Sequence, residues 1–216
     1  MQEYTLTAVA ATGYTFEGWY TDSKVSSELK PTVNPAGATT YYAYYKAHQY
    51  TIKFDANGGT GSMSNQSHTY GVSKALKANA FIRTGYKFEG WNTKADGSGT
   101  SYADKASVKN LSSTNGATVN LYAQWTLNTY TVKWFVNGVE LTGAETTVAH
   151  GNKVTTIPEV DLNTYCEGSD VLAGWIAAPM ENASVAAPAN LYKTIEDFPI
   201  VEGPQTYYAV FANYKE

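Results

Sequence analysis

The chain has 216 residues, a formal net charge of -4 and only 16% charged residues. That balance excludes an electrostatic nucleic-acid site, which needs clustered Lys and Arg, and no apolar run nears the roughly 20 residues that span a bilayer. A single cysteine, Cys166, excludes an intramolecular disulfide; with no histidine beside it in sequence, it reads as a small apolar residue rather than a nucleophile.

Residues 4 to 10, YTLTAVA, alternate as a half-buried strand does. Met1-Gln2-Glu3 opens directly on that pattern with no signal peptide, as expected of an excised piece whose export signal and anchor lie outside it. Gly13 then makes a turn into GYTFEGW, residues 13 to 19. Tyr14 and Phe16 point one way there, and strict alternation puts Trp19 on the other face. A glycine inside a strand often marks a bulge, so Gly18 predicts one that returns Trp19 to the core. Residues 21 to 34 read as a polar hairpin or loop with Pro31 and Pro35 limiting pairing. The exit strand, 39 to 45, is expected to turn Tyr41, Ala43 and Tyr45 inward.

Lys46 to Gln49 leave almost no linker before YTIKF, where Tyr50, Ile52 and Phe54 alternate inward. Asn57-Gly58-Gly59 is a turn, because its residues tolerate positive φ. It is not a phosphate loop, since the Gly-Lys-Ser/Thr ending is absent. Residues 73 to 80, SKALKANA, are the segment most suited to a helix. GYKFEGW at 85 to 91 repeats the earlier motif in six residues of seven. A turn at Asp96 to Gly99, a short strand around Tyr102 and the exit strand Leu121 to Trp125 follow.

YTVKWFV from Tyr130 stands in register with YTIKF: Tyr50 to Gly71 and Tyr130 to Gly151 both span 21 residues. A worn copy of the organising motif, DVLAGW, ends at Trp175, after an insertion that includes Cys166. Four prolines after Trp175 predict a loop-rich stretch with a short helix near 191 to 197, and the exit strand is 206 to 212. A string so rich in aromatics seldom repeats by chance, so the chain is an array. Its expected modules are 1–47, 48–127 and 128–216, the first lacking the opening strand. Pieces that small bury only about 60% of their unfolded surface, so the 5 Trp, 18 Tyr and 7 Phe are expected to supply the cores.

YTIKFDANGG, GYKFEGWNTKADGSGTSYAD and LYAQW, in that order, resemble the Listeria-Bacteroides repeat, the internalin-type B-repeat of bacterial cell-surface proteins. The first unit is similar to the divergent B-repeat variant, and the third to a divergent member that has lost the aromatic before Ala-Gly-Trp to Leu172. The resemblance implies a mainly β fold, α+β at most: tandem small β-grasp-like modules with mixed sheets and little helix. It also implies an extracellular stalk or spacer on the bacterial surface, non-catalytic and cofactor-free, with adhesion as a further role.

The residues themselves offer little chemistry. His48, His68 and His150 fall in a linker or beside turns with no metal-ligand spacing, and read as solvent-exposed. Asp96, Ser98 and Asp104 lack the twelve-residue calcium loop and read as a hairpin turn. Glu17 and Glu89 recur beside Thr15 and Lys87 and read as a solvated face rather than a carboxylate pair across a cleft. Two surface possibilities stay open. Tyr42, Tyr44, Tyr122 and Tyr208 point outward if Ala43, Ala123 and Ala209 face in; such a row stacks on a glycan or packs a host or matrix protein, and equally covers module junctions. A Lys–Asn isopeptide crosslink is the other, which an intact mass short by one ammonia would reveal. The chain is otherwise expected to be a monomer without metal.

Overall fold

The computed structural model describes residues 4–9, 11–21, 24, 28–29, 32–33, 39–165, 170–180 and 188–213. The readings of Cys166, Pro31 and Pro35 lie outside them. The chain divides into two compact units, Met1–Arg83 with Phe88–Trp125, and Thr84–Lys87 with Thr126–Glu216.

The first unit begins with β1 (Tyr4–Thr5), β2 (Tyr14–Tyr20), β3 (Glu28–Leu29), β4 (Thr32–Val33) and β5 (Tyr42–Ala47). These form an antiparallel sheet in the order β3-β2-β5 and a separate β1–β4 pair. Next come β6 (Gln49–Asp55), β7 (Gln66–Thr69), β8 (Lys74–Ala75), β9 (Tyr86–Asn92), β10 (Ser101–Tyr102), β11 (Ser107–Val108) and β12 (Thr118–Leu127). Their main sheet runs β10-β9-β12-β6-β7, with β8 and β11 paired separately. It is mixed: β12 lies parallel to β6, from Thr118 opposite Thr51 to Tyr122 opposite Asp55, while β6–β7 and β9–β10 are antiparallel.

The second unit holds β13 (Thr129–Val136), β14 (Val139–Glu140), β15 (Thr146–Ala149), a single turn α1 (Leu162–Tyr165), β16 (Asp170–Ile176), a 3-10 turn at Ile195–Asp197 and β17 (Gln205–Asn213). Its sheet order is β14-β13-β17-β16, with β15 also paired to β13. Here too the exit strand β17 runs antiparallel to the organising strand β16 and parallel to the opening strand β13. Parallel neighbours need a long crossover, so almost the whole repeat lies between them. The fold is mainly β with mixed sheets, as expected.

The bulge is where the motif predicts it. Pairing slips between Phe16 and Gly18 in β2 and between Leu172 and Gly174 in β16. Gly18, Gly90 and Gly174 share φ values of 152°, 144° and 151°, a region that disfavours any side chain. A Cβ at Gly90 or Gly174 would also stand 2.7 Å from the carbonyl oxygen of Tyr102 or Tyr192. In β9, where Gly90 shares that φ, the Trp91 ring packs on Phe88 with centroids 5.0 Å apart.

Two cores result. In the first unit Tyr50, Ile52 and Phe54 alternate inward onto Trp91, Leu121 and Ala123. In the second, Val132, Trp134 and Val136 meet Trp175, Phe198 and Tyr207. The same ring contact recurs in both: Phe54–Trp91 and Trp134–Trp175 each have centroids 4.8 Å apart. Asn57 and Gly58 make the expected turn with φ of 46° and 88°, and the Asn57 amide donates to the Ala123 carbonyl at 2.8 Å, tying the turn to β12.

Several expectations need correction. The half-buried strand expected over residues 4 to 10 is confined, among the described residues, to Tyr4–Thr5, both exposed. Residues 73–80 are not helical. Lys74–Ala75 pair with Ser107–Val108, the Leu76 N–H donates to Ala106 O at 2.9 Å, and the Gln66 side chain binds Ala75 O and Lys77 N–H. Two turns cannot sustain a helix alone, and burying Leu76 and Phe81 in the core favours the extended path. Ala43 is exposed rather than inward, whereas its counterpart Ala123 is fully buried. β5 has no strand against its second edge among the described residues.

Candidate interaction surfaces

The expected tyrosines lie in different settings. Tyr42 and Tyr44 alternate on β5, 43% and 39% exposed, and Tyr44 stands edge-on to Tyr20 at 5.9 Å. Tyr122 on β12 is half-buried. Tyr208 on β17 is half-buried too, tilted against Phe135 at 5.4 Å. The structure thus brings Tyr42 and Tyr44 together on one strand, while Tyr122 belongs to a separate sheet of that unit.

A shallow depression of about 300 Å³ lies beside the bulge of β9, lined by Glu89, Gly90, Trp91, Tyr102 and Gln124 among others. It holds one carboxylate, so it lacks the second group that paired acid–base work requires. Glu17 and Glu89 are both exposed. Asp96 accepts the Ser98 N–H and hydroxyl, which hold its carboxyl below the usual range. Asp104 accepts the Asn79 N–H at 2.9 Å. Both carboxylates are therefore engaged in shaping turns. Among the described residues no group of three or more His, Cys, Asp or Glu could hold a metal.

The histidines depart from expectation. His68 is not exposed: it sits in β7, 2% exposed, stacked on Tyr50 with centroids 5.4 Å apart, and both ring nitrogens lack a hydrogen-bond partner. Burial pushes its pKa below the ordinary value, and Lys74 adds to this. The alternation of Gln66 and His68 on the inner face of β7 was the available signal.

His48 is a joint rather than a free linker residue. Its N–H donates to Gly13 O and its carbonyl accepts the Tyr70 N–H, both at 2.8 Å. The Ser113 carbonyl can only accept, so Nδ1 donates there at 2.6 Å, and Nε2 shares a hydrogen bond of 2.8 Å with the Thr15 hydroxyl. Next to it, the Tyr14 ring stands edge-on to Tyr70 at 5.6 Å. A Cβ on Gly13 would collide with the Tyr70 ring, and one on Gly71 would lie 2.6 Å from the Tyr14 hydroxyl.

The second unit contains the same device. The Asn128 N–H donates to Gly85 O at 2.8 Å and its carbonyl accepts the His150 N–H at 2.9 Å, while a Cβ on Gly85 would collide with the His150 ring. The separations His48 to Tyr70 and Asn128 to His150 are both 22 residues. That shared spacing was visible beforehand; the hydrogen bonds it sets were not.

Small mixed-sheet repeats, each opening from a residue clamped by a glycine of the organising motif, define a tandem β-repeat protein. Residues 50–124 match the Listeria-Bacteroides repeat domain, and residues 2–49 match the divergent InlB B-repeat domain. These two segments are B-repeats, the divergent one first. The chain is also similar to two proteins of Evansella cellulosilytica. One, provisionally named a Gly-rich membrane protein, is 30% identical over 60% of this chain; the other, provisionally named a membrane protein, is 29% identical over 58%. The matched regions are 16% and 18% of those relatives' lengths. Among the described residues no helix is long and apolar enough to cross a membrane.

Proposed function

We propose that the chain is a non-catalytic spacer segment of a bacterial cell-surface protein, built of modules 1–47, 48–127 and 128–216, the last a divergent B-repeat, whose work is to present another domain. The observation that carries this reading is the His48 joint. Four hydrogen bonds converge on that one residue, each contributing a net stabilisation of about 0.5–1.5 kcal/mol, where a free linker would let the first two modules swing. The names of the relatives, both membrane proteins, support a place at the cell envelope. The test is replacement: in a surface protein that carries this segment, an unrelated folded spacer of similar length should preserve presentation of the neighbouring domains. Loss of a specific binding activity on that replacement overturns the reading.

That loss would favour a second role, adhesion to a glycan or to a host or matrix protein through the exposed Tyr42 and Tyr44. Replacing both by Ser should then abolish binding while the sheet stays folded. Binding that survives the change removes this face from consideration.

A further inference from the structure

The clamp on an opening residue is built from the same parts twice. In the first unit the Gly13 carbonyl accepts the His48 N–H, the His48 carbonyl accepts the Tyr70 N–H, and the Tyr70 ring lies where a Cβ on Gly13 would have to stand. Within the second unit the Gly85 carbonyl, the Asn128 peptide and the His150 ring hold the same relation. Gly13 and Gly85 also share φ values of 79° and 77°, a conformation that disfavours a side chain. Two separate demands, a left-handed backbone and an approaching ring, therefore fall on one glycine.

The third repeat departs at that position. Tyr14 pairs with Ala47 and Phe16 with Tyr45, as Asp170 pairs with Asn213 and Leu172 with Phe211, and both strands slip at the motif glycine. One register thus relates them, and it sets Ser169-Asp170 against Gly13-Tyr14 and Gly85-Tyr86. Ser169 lies outside the described residues and enters by its place in the sequence alone. In the clamped geometry a serine Cβ would stand where the ring must lie, and Asp170 replaces the tyrosine that, at Tyr14, stands edge-on to Tyr70 at 5.6 Å.

We propose that the Gly-Tyr pair heading the organising motif is a socket for a following B-repeat, and that the third repeat lacks it. The occupant is defined by its chemistry: a repeat whose opening residue offers its N–H to the glycine carbonyl and which carries an aromatic ring 22 residues later, as His48 with Tyr70 and Asn128 with His150 do. A ring laid against a bare Cα makes a close contact that only glycine permits. The socket therefore sets the order of repeats: the first two take a successor in this way, and the third does not. The inference concerns the joint alone and holds for a spacer and for an adhesin alike.

Residues 48–127, set in place of Tyr214–Glu216 so that His48 follows Asn213 as it follows Ala47, offer such a successor to the third repeat. Val72→Ile at an exposed position of the added copy tells its peptides from the originals. With Ser169 and Asp170 retained, the Tyr70 amide of the added copy should exchange about tenfold or more faster than that of the original copy. With Ser169→Gly and Asp170→Tyr the two should agree within about threefold. Equal exchange of the added Tyr70 amide in both extended chains, fast or slow, overturns the proposal. In the unextended chain, Gly13→Ser should speed the Tyr70 amide by about tenfold, while Gly116→Ser, at φ of 75° with nothing within 4 Å of its Cβ, should leave it unchanged. A Tyr70 amide unmoved by Gly13→Ser, or moved as much by Gly116→Ser, overturns it too.

Discussion

GYTFEGW and GYKFEGW differ at one position, Thr15 against Lys87, and both bend at the same glycine, yet Trp91 is fully buried and Trp19 is not. The local shape is common to the two repeats because the glycine conformation and the strand alternation depend on near neighbours only. Burial is not common, because it depends on a strand more than thirty residues away in sequence. Phe54 of β6 and Phe81 pack on Trp91; among the described residues no strand lies against the outer edge of β5. A motif therefore aims a tryptophan, and a distant partner makes it a core residue.

The largest expected effect tests that contrast. Trp91→Ala removes a buried ring packed on Phe54, Phe81 and Phe88, and should cost about 3–5 kcal/mol by denaturant unfolding. Trp19→Ala, at a site partly open already, should cost about 1 kcal/mol. Equal losses would break the comparison.

The bulge sharpens it. Gly90→Ala meets both an unfavourable φ and the Tyr102 carbonyl, so a loss of about 1–3 kcal/mol is expected. Gly116→Ala has φ of 75° but nothing within 4 Å, and should cost about 1 kcal/mol in the same assay. At the joint, His48→Ala removes the two ring hydrogen bonds and should cost about 1–2 kcal/mol, with faster exchange at the Tyr70 amide.

In the histidine range the acid response should come from the second repeat. The folded-state pKa of His68 is lowered, so its neutral form favours the fold. That contribution is complete above the unfolded value near 6.5 and is lost as pH falls below it toward the folded value. His68→Phe keeps the stacking on Tyr50 and should flatten the pH dependence in that window; an unchanged profile would assign it to other groups. Smallest of all, Tyr42→Ser with Tyr44→Ser should change stability by no more than about 0.5 kcal/mol per site, measured by the same unfolding.

What was legible in advance is what nearest neighbours decide. The inward alternation of Tyr50, Ile52 and Phe54, the turn at Asn57-Gly58 and the bulge before each motif tryptophan all follow from side-chain period and from where φ must be positive. SKALKANA misled because its propensity is local, while its strand partner, Ser107–Val108, lies some thirty residues away. His68 misled because a histidine near a turn usually meets water, and only the Tyr50 ring opposite it makes that position interior. Of the candidate surface, Tyr42 and Tyr44 were expected to face out opposite an inward Ala43, and Ala43 is exposed as well. The half-burial of Tyr208 was not readable, since it depends on Phe135 across the parallel ladder.

By itself the sequence determined the repeating unit, its strands and its bends, because these reside in strings of five to ten residues that recur along the chain. Only the tertiary structure decided which tryptophans are sealed, which backbone edges are paired and how His48 is clamped. Those outcomes require groups distant in sequence to meet, and the free energy of such a meeting is not written in either partner alone.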